Sequence, residues 1–282
     1  MENRSLFSSI AVGTNIAMGY SLEDALAMLS GMGVEQVELS SIAGMCEHIE
    51  PARIDGAYVE YVAGLLEKNK LKCPAVSGHV DLTLDDQFRD FLKKIKFTAG
   101  IGARFINTNS GPIERLDIFR ENMKQVIAQA EKYNVTICLE THGDIISTAR
   151  DSVCYIQEFD HPLIRMNYDT GNAYFHSGGQ CRVVEDIEYS QPYIEYMHIK
   201  DMVIKGDNVQ YCAIGQGDLD FPAILRKLQA MGKTLPACLE IPVFVGGTLS
   251  GIGPRNTPLS EEAIKEAIAS SFEYLEKTLA TL

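Results

Sequence analysis

Thr136-Ile137-Cys138-Leu139-Glu140, Met166-Asn167-Tyr168-Asp169 and Tyr196-Met197-His198 are three apolar, strand-like runs, each ending on a residue able to bind a metal. A fourth run, Ala237-Cys238-Leu239-Glu240, ends the same way. The first three recur roughly every thirty residues, the length of one strand-plus-helix unit in a (β/α)₈ barrel of about 250 residues. Such a barrel carries its chemistry at the carboxyl ends of its strands, so Glu140, Asp169, His198 and Glu240 would converge on one mouth. Three carboxylates and an imidazole suit one hard or borderline divalent cation. A lone strand-end acid reads equally well as a solvated loop residue or a helix cap. Four ligand-type residues, each closing an apolar run where an unpaired charge is costly to bury, read as a set.

Outward from these runs, strand and helix signals alternate along the whole chain. Strand-like segments fall at residues 9–14, 34–40, 72–79, 103–109, 136–142, 164–170, 195–201 and 236–241. Helical segments fall at residues 21–31, 57–69, 85–100, 114–133, 147–159, 182–190, 221–231 and 258–280. The last shows apolar residues at helical spacing in Ile264, Ile268, Phe272, Leu275 and Leu279. Strict alternation implies a parallel sheet with right-handed crossovers, and eight such units close into a barrel. A doubly wound open sheet is the alternative, but no GxGxxG follows the first strand to support it. Residues 203–212, with Lys205-Gly206-Asp207-Asn208, read as a hairpin after the seventh strand. Nothing resembles a linker or a low-complexity segment, so residues 1–282 read as one barrel domain.

A hydrophobic fraction of 46% with 22% charged residues is ordinary globular composition. The formal charge of -13 argues against nucleic acid and anionic membrane, both of which call for a basic face. Small neutral or weakly charged substrates suit it better. The seven cysteines show no CxxC pair and no disulfide-like spacing, and Cys138 and Cys238 lie inside apolar runs as small buried hydrophobes. The stretch from Met1 to Ser9 lacks the apolar core of a signal peptide, and no run approaches a membrane span. A reduced, cytoplasmic, soluble protein is the plain expectation.

Strand periodicity extends the mouth. Residues two apart share a face, so Glu140 brings His142, His198 brings Lys200, Ser77 points with His79, and Asn107 with Asn109. A cation, imidazoles, a lysine and amides together suit a polyhydroxylated substrate chelated through adjacent oxygens. His48 and His161 read as surface side chains, and His176 as either a lid residue or a packed loop histidine. Glu38 reads as rim packing or substrate binding. No GxSxG or Cys-His arrangement suggests covalent catalysis.

Leu139-Glu140-Thr141-His142-Gly143, Asp169-Thr170-Gly171-Asn172, Met197-His198-Ile199-Lys200-Asp201 and Gly215-Gln216-Gly217-Asp218-Leu219-Asp220-Phe221 together resemble the sugar-phosphate isomerase/epimerase family of xylose-isomerase-like TIM barrels. The resemblance covers essentially the whole chain. It implies Glu140, Asp169, His198 and Glu240 as ligands of one Mn²⁺-type ion, with Mg²⁺, Co²⁺ or Zn²⁺ as alternatives. It also implies Glu140 and Glu240 as a general acid/base pair, and a homodimer or homotetramer as the assembly. The substrate would touch His79, His142, Asn172, Lys200 and Asn109.

Two departures qualify this. Asn172 stands where ketose 3-epimerases, by resemblance, place a substrate-binding histidine, which puts free tagatose-like or psicose-like sugars in doubt. The related endonuclease branch binds several zinc ions through many histidines, and here Asn107, Asn109 and Asn172 fall on those positions. The Glu140-x-His142 pair resembles instead lyases of the same barrel, such as inosose or dehydroshikimate dehydratases and C-glycoside deglycosidases, with His142 as base. The expectation is a metal-dependent sugar, sugar phosphate or polyol isomerase or epimerase. The lyase and a non-catalytic sugar-binding subunit are the alternatives. Glycines 246, 247, 251 and 253 with Arg255 read as a flexible lid or a phosphate cradle after the eighth strand.

Overall fold

The computed structural model describes residues 6–254 and 257–282. Its strands β1 (Phe7–Gly13), β2 (Gln36–Ile42), β3 (Lys72–Ser77), β4 (Phe105–Thr108), β5 (Thr136–Glu140), β6 (Ile164–Asp169), β7 (Ile194–Ile199) and β8 (Leu235–Leu239) run parallel in chain order. The ring closes where β1 pairs with β8 on one side and with β2 on the other, through Val12↔Val37 and Gly13↔Glu38. This is the expected barrel. Its strands are apolar nearly throughout because a parallel barrel buries both faces of its sheet.

Around it lie α1 (Leu22–Gly31), α2 (Gly56–Lys68), α3 (Asp85–Gly100), α4 (Leu116–Tyr133), α5 (Ala149–Phe159), α6 (Thr170–His176), α7 (Val183–Asp186), α8 (Phe221–Ala230) and α9 (Glu261–Leu279). Ser21, Thr148, Asp220 and Ser260 cap α1, α5, α8 and α9 by accepting a backbone N–H three residues on. Asn134 ends α4 in the left-handed region, with φ 52°. One helix was not expected, and one expected helix needs correction. Helix α6 follows β6 with no intervening loop, and the segment at 182–190 divides into α7 and a 3₁₀ turn, Ile187–Ser190.

Inside the barrel, Ala11, Ala75, Phe105, Cys138, Tyr196 and Cys238 form a dry cluster. Each lies on a different strand and points inward. Two residues further along the same strands, again pointing inward, come Gly13, Ser77, Asn107, Glu140, His198 and Glu240. The strand repeat of two therefore stacks a polar layer directly on an apolar plug, at the carboxyl end. The cavity lies on the mouth side of this plug.

Beyond the mouth, Asp201–Lys205 and Asn208–Cys212 form the expected hairpin. A second hairpin, Val245–Thr248 with Gly251–Pro254, adds to it and completes a four-stranded antiparallel sheet. The glycine-rich stretch read as a lid or phosphate cradle is therefore a paired hairpin, with Val245 and Ile252 on the cavity. Gly246 pairs with Gly253 and Gly247 with Ile252, in a ladder rather than a nest of converging amides. Arg255 lies outside the described residues. Among them, no helix is long and apolar enough to cross a membrane.

Candidate active site

His198 organises the polar layer. Its Nε2 lies 2.9 Å from Glu38 Oε1, and Asn107 donates its amide to the other Glu38 oxygen at 3.0 Å. Glu38 thus accepts the Nε2 proton, which turns the Nδ1 lone pair toward the mouth. Nδ1 lies 2.9 Å from Glu140 Oε2 and 3.5 Å from Asp169 Oδ2 and Glu240 Oε2, yet makes no hydrogen bond. One donor atom from each of Glu140, Asp169, His198 and Glu240 lies within 4.8 Å of all the others. A buried imidazole nitrogen facing three carboxylate oxygens is an arrangement that fits a divalent cation.

Charge supports the same fit. The Lys200 ammonium lies 2.7 Å from Asp169 Oδ2 and 2.5 Å from Glu240 Oε2. Burial would lower its pKa, but Asp169 and Glu240 outweigh burial and raise it well above the ordinary lysine value, so the ammonium persists. Against the three ligand carboxylates it leaves two negative charges, which a divalent cation would cancel. Burial also opposes a proton on His198, but Glu38, Glu240 and Glu140 overcome it and raise the pKa well above the usual imidazole range. A proton and a cation would therefore compete for Nδ1.

The two glutamates differ in restraint. Glu140 Oε2 meets His79 Nε2 at 2.9 Å and accepts from Asn167 at 2.7 Å, while Oε1 accepts from Asn172 at 2.8 Å. Burial would raise its carboxyl, but His79 and His198 hold it well below the usual carboxylate range. Glu240 has Asn15 on Oε1 at 3.1 Å and Lys200 on Oε2. Its carboxyl is also lowered, with Lys200 and His198 outweighing burial.

Of the residues expected to touch substrate, the structure brings all five to one cavity of about 320 Å³ over this floor. Three of them already bind the floor. His79 is held between Ser77 and Glu140, and Asn172 between Glu140 and Lys200. His142 and Asn109 face the cavity, where Asn109 Oδ1 has no hydrogen-bond partner. Burial pushes the partly buried His142 down to about 3, so its imidazole is neutral at physiological pH. His176, tilted against it at 5.1 Å between ring centres, also lines the cavity.

The two longer motifs divide into chemistry and scaffold. Asp169 ends β6 and caps α6, accepting from Asn172 N at 2.8 Å through Oδ1 while Oδ2 faces the cluster. Thr170 bonds the backbone of Lys200 in both directions. A Cβ on Gly171 would lie 2.8 Å from Lys200 Cγ, so only glycine lets that side chain pass. Asp201, next to Lys200, does not line the cavity. Its carboxylate accepts from the amides of Met202, Gly215 and Gly217 at 2.9 Å each, and folds the glycine loop about itself.

Some expectations fail. His48 is buried rather than a surface residue, with Nδ1 3.0 Å from Thr14 Oγ1. His161, by contrast, keeps a partly exposed position, as expected, paired with the exposed Glu131. Glu38 is fully buried and does not line the cavity; its carboxylate meets His198 and Asn107. Asn15 and Asn167 were missed. Asn167 faces inward two residues before Asp169, a polar residue inside an apolar strand, and that signal was available. Asn15 stands just past the end of β1, where the strand-end rule would also have found it.

Fold and site together define a (β/α)₈ barrel with a cluster at its carboxyl mouth that could hold a metal ion. The chain belongs to the xylose isomerase-like TIM barrel family, whose model matches residues 26–273. No curated protein matches the sequence. Among solved structures, a xylose isomerase-like TIM barrel protein from Mycobacterium smegmatis in complex with magnesium is similar, with TM-score 0.73 and 16% identity over 97% of each chain. D-allulose 3-epimerase from Methylomonas sp. in complex with D-allulose has TM-score 0.71 and 14% identity, covering 97% of this chain and 98% of that one. The probable 3-DHS dehydratase AsbF from Bacillus anthracis has TM-score 0.67 and 14% identity, covering 93% and 97%. At such identities the likeness establishes the fold alone.

Proposed function

We propose that this barrel is a divalent-metal-dependent isomerase or epimerase of a sugar or polyol, acting in a reducing, cytoplasmic compartment. The observation that carries it is the convergence of four buried donor atoms within 4.8 Å on the floor of a cavity. The magnesium and allulose complexes of barrels with the same fold support the reading. All seven cysteines are free thiols, in keeping with a reducing compartment. Glu140, Asp169, His198 and Glu240 would hold the ion, with Mn²⁺ the first choice. When bound, such an ion polarises a carbonyl and its neighbouring hydroxyl and makes the adjacent C–H acidic.

The protein does the rest. Glu240 takes the proton from the carbon beside the carbonyl, because its carboxylate has the fewest fixed donors of the pair. Lys200 stays an ammonium and holds Asp169 and Glu240 apart from competing protons. Glu140, fixed by His79, Asn167 and Asn172, is the partner carboxylate on the opposite side. If it supplies the returning proton to the same carbon, the centre inverts; return to the neighbouring carbon gives an isomer. His142, Asn109 and Asn172 orient hydroxyls.

The neutral imidazole of His142 facing the cavity favours a second reading, a lyase in which His142 removes the proton and a hydroxyl β to the carbonyl departs. Incubation of the Mn²⁺-loaded protein with ketoses and ketopolyols in D₂O separates the two. Deuterium beside the carbonyl in an equilibrium mixture of isomers supports proton transfer. An ultraviolet-absorbing enone supports the lyase, and neither product from any substrate contradicts both.

A further inference from the structure

Asn15 stands in the 3₁₀ turn Thr14–Ala17, just past β1, and is 1% exposed. Its Nδ2 donates to Glu240 Oε1 at 3.1 Å, across the seam where β1 and β8 close the barrel. Donation to a carboxylate fixes which end of the carboxamide is which, and turns Oδ1 back over Gly13. That oxygen is buried and has no hydrogen-bond partner among the described residues. An unpaired buried acceptor is costly, so the pose serves the bond to Glu240. A Cβ on Gly13 would lie 2.7 Å from Asn15 Oδ1. Gly13 has φ -66° and ψ 127°, extended values open to any residue, so glycine is needed there for room and not for conformation.

The two Glu240 oxygens therefore have different surroundings. Oε2 faces the cluster, 3.5 Å from His198 Nδ1 and in contact with the Lys200 ammonium. Oε1 meets the Asn15 amide. A neutral amide directs an oxygen without cancelling its charge, and it cannot itself take up the proton. On Glu140, by contrast, both oxygens are fixed among His79, Asn167 and Asn172.

We propose that Asn15 is a positioning residue for the proton transfer. It holds Glu240 Oε1 off the ion, so that Oε2 is the ligand oxygen and Oε1 the oxygen that takes the proton; Gly13 leaves the room for it. In that step the proton moves from carbon to Oε1, and the C–H electron pair passes toward the carbonyl. This rests on the reading of Glu240 as both ligand and base, and assigns the two tasks to separate atoms.

Asn15→Leu keeps the branched shape and removes the donor, and manganese X-ray absorption on the loaded full chain reads the oxygens around the ion. The variant is expected to hold one ion per chain and to gain an oxygen neighbour, as Glu240 swings Oε1 onto it. An unchanged shell would overturn the proposal. Turnover is the second arm, read as proton exchange with D-fructose, D-tagatose and L-ribulose in D₂O. For any of these that the parent protein exchanges, Asn15→Leu should lower kcat at least about tenfold with KM within about threefold. An unchanged kcat, or a loss confined to KM, would contradict it. Gly13→Ala should cause the same kcat loss in the parent and none in Asn15→Ala, where the crowded oxygen is gone; equal losses in both would remove Gly13 from the device. If none of the three sugars is exchanged, the shell measurement decides alone. A parent protein that holds no manganese refutes the reading of Glu240 as a ligand instead, which separates the two claims.

Discussion

Glu38 does not line the cavity, yet the ligand set depends on it. By accepting the His198 Nε2 proton at 2.9 Å it keeps Nδ1 free for a cation. Glu38→Gln should weaken manganese binding about 10–100-fold with the fold intact, as outer-shell changes at metal sites do; equilibrium dialysis measures it. Glu240→Gln should lower turnover by about 10²-fold or more, because an amide cannot carry a proton. Near-normal activity in that variant would remove Glu240 as the base. The strand-end acids were legible because each closes an apolar run. Glu38 was not, since its partner lies 160 residues away and is chosen by how the ring of strands closes. Asn15 meets Glu240 across 225 residues for the same reason.

At the scale of elements, the turn after β7 shows how a motif can mislead. Lys200 and Asp201 are adjacent, but one reaches the floor and the other folds a loop. Asp201→Asn should destabilise the protein by about 1–3 kcal/mol, since an amide replaces a buried carboxylate that accepts three backbone N–H groups at 2.9 Å. Urea denaturation reads this, and metal affinity should stay within about threefold of the original, a spread of under 1 kcal/mol. The strands and most helices were legible from alternation and periodicity. Helix α6 was not, because Asp169 is both the last strand residue and the helix cap, leaving no loop to mark the boundary. The second hairpin was also hidden, since its glycines look like a flexible loop until they are paired with Asn208–Cys212.

For the molecule as a whole, pH and metal act on the same buried charges. His142 is pushed down to about 3 by burial, against about 6.5 for a solvated histidine. Between those values the unfolded chain takes up a proton that the folded chain refuses. Stability should therefore fall as pH drops from about 6.5 toward about 3, and the fall should be shallower in His142→Gln. Urea midpoints at pH 7 and pH 4.5 for both proteins check it. Metal affinity should weaken in the acid direction as well, because His198 must give up its proton to bind, and cation uptake should release protons into the buffer. Saturation at about a hundred times Kd should stabilise the fold by about 2.7 kcal/mol. The measurement that meets the central claim most directly is elemental analysis after dialysis against mixed manganese, magnesium and zinc. One ion per chain, lost in Asp169→Asn, is the predicted result; no bound ion, or several zinc ions per chain, would contradict a single site built from Glu140, Asp169, His198 and Glu240.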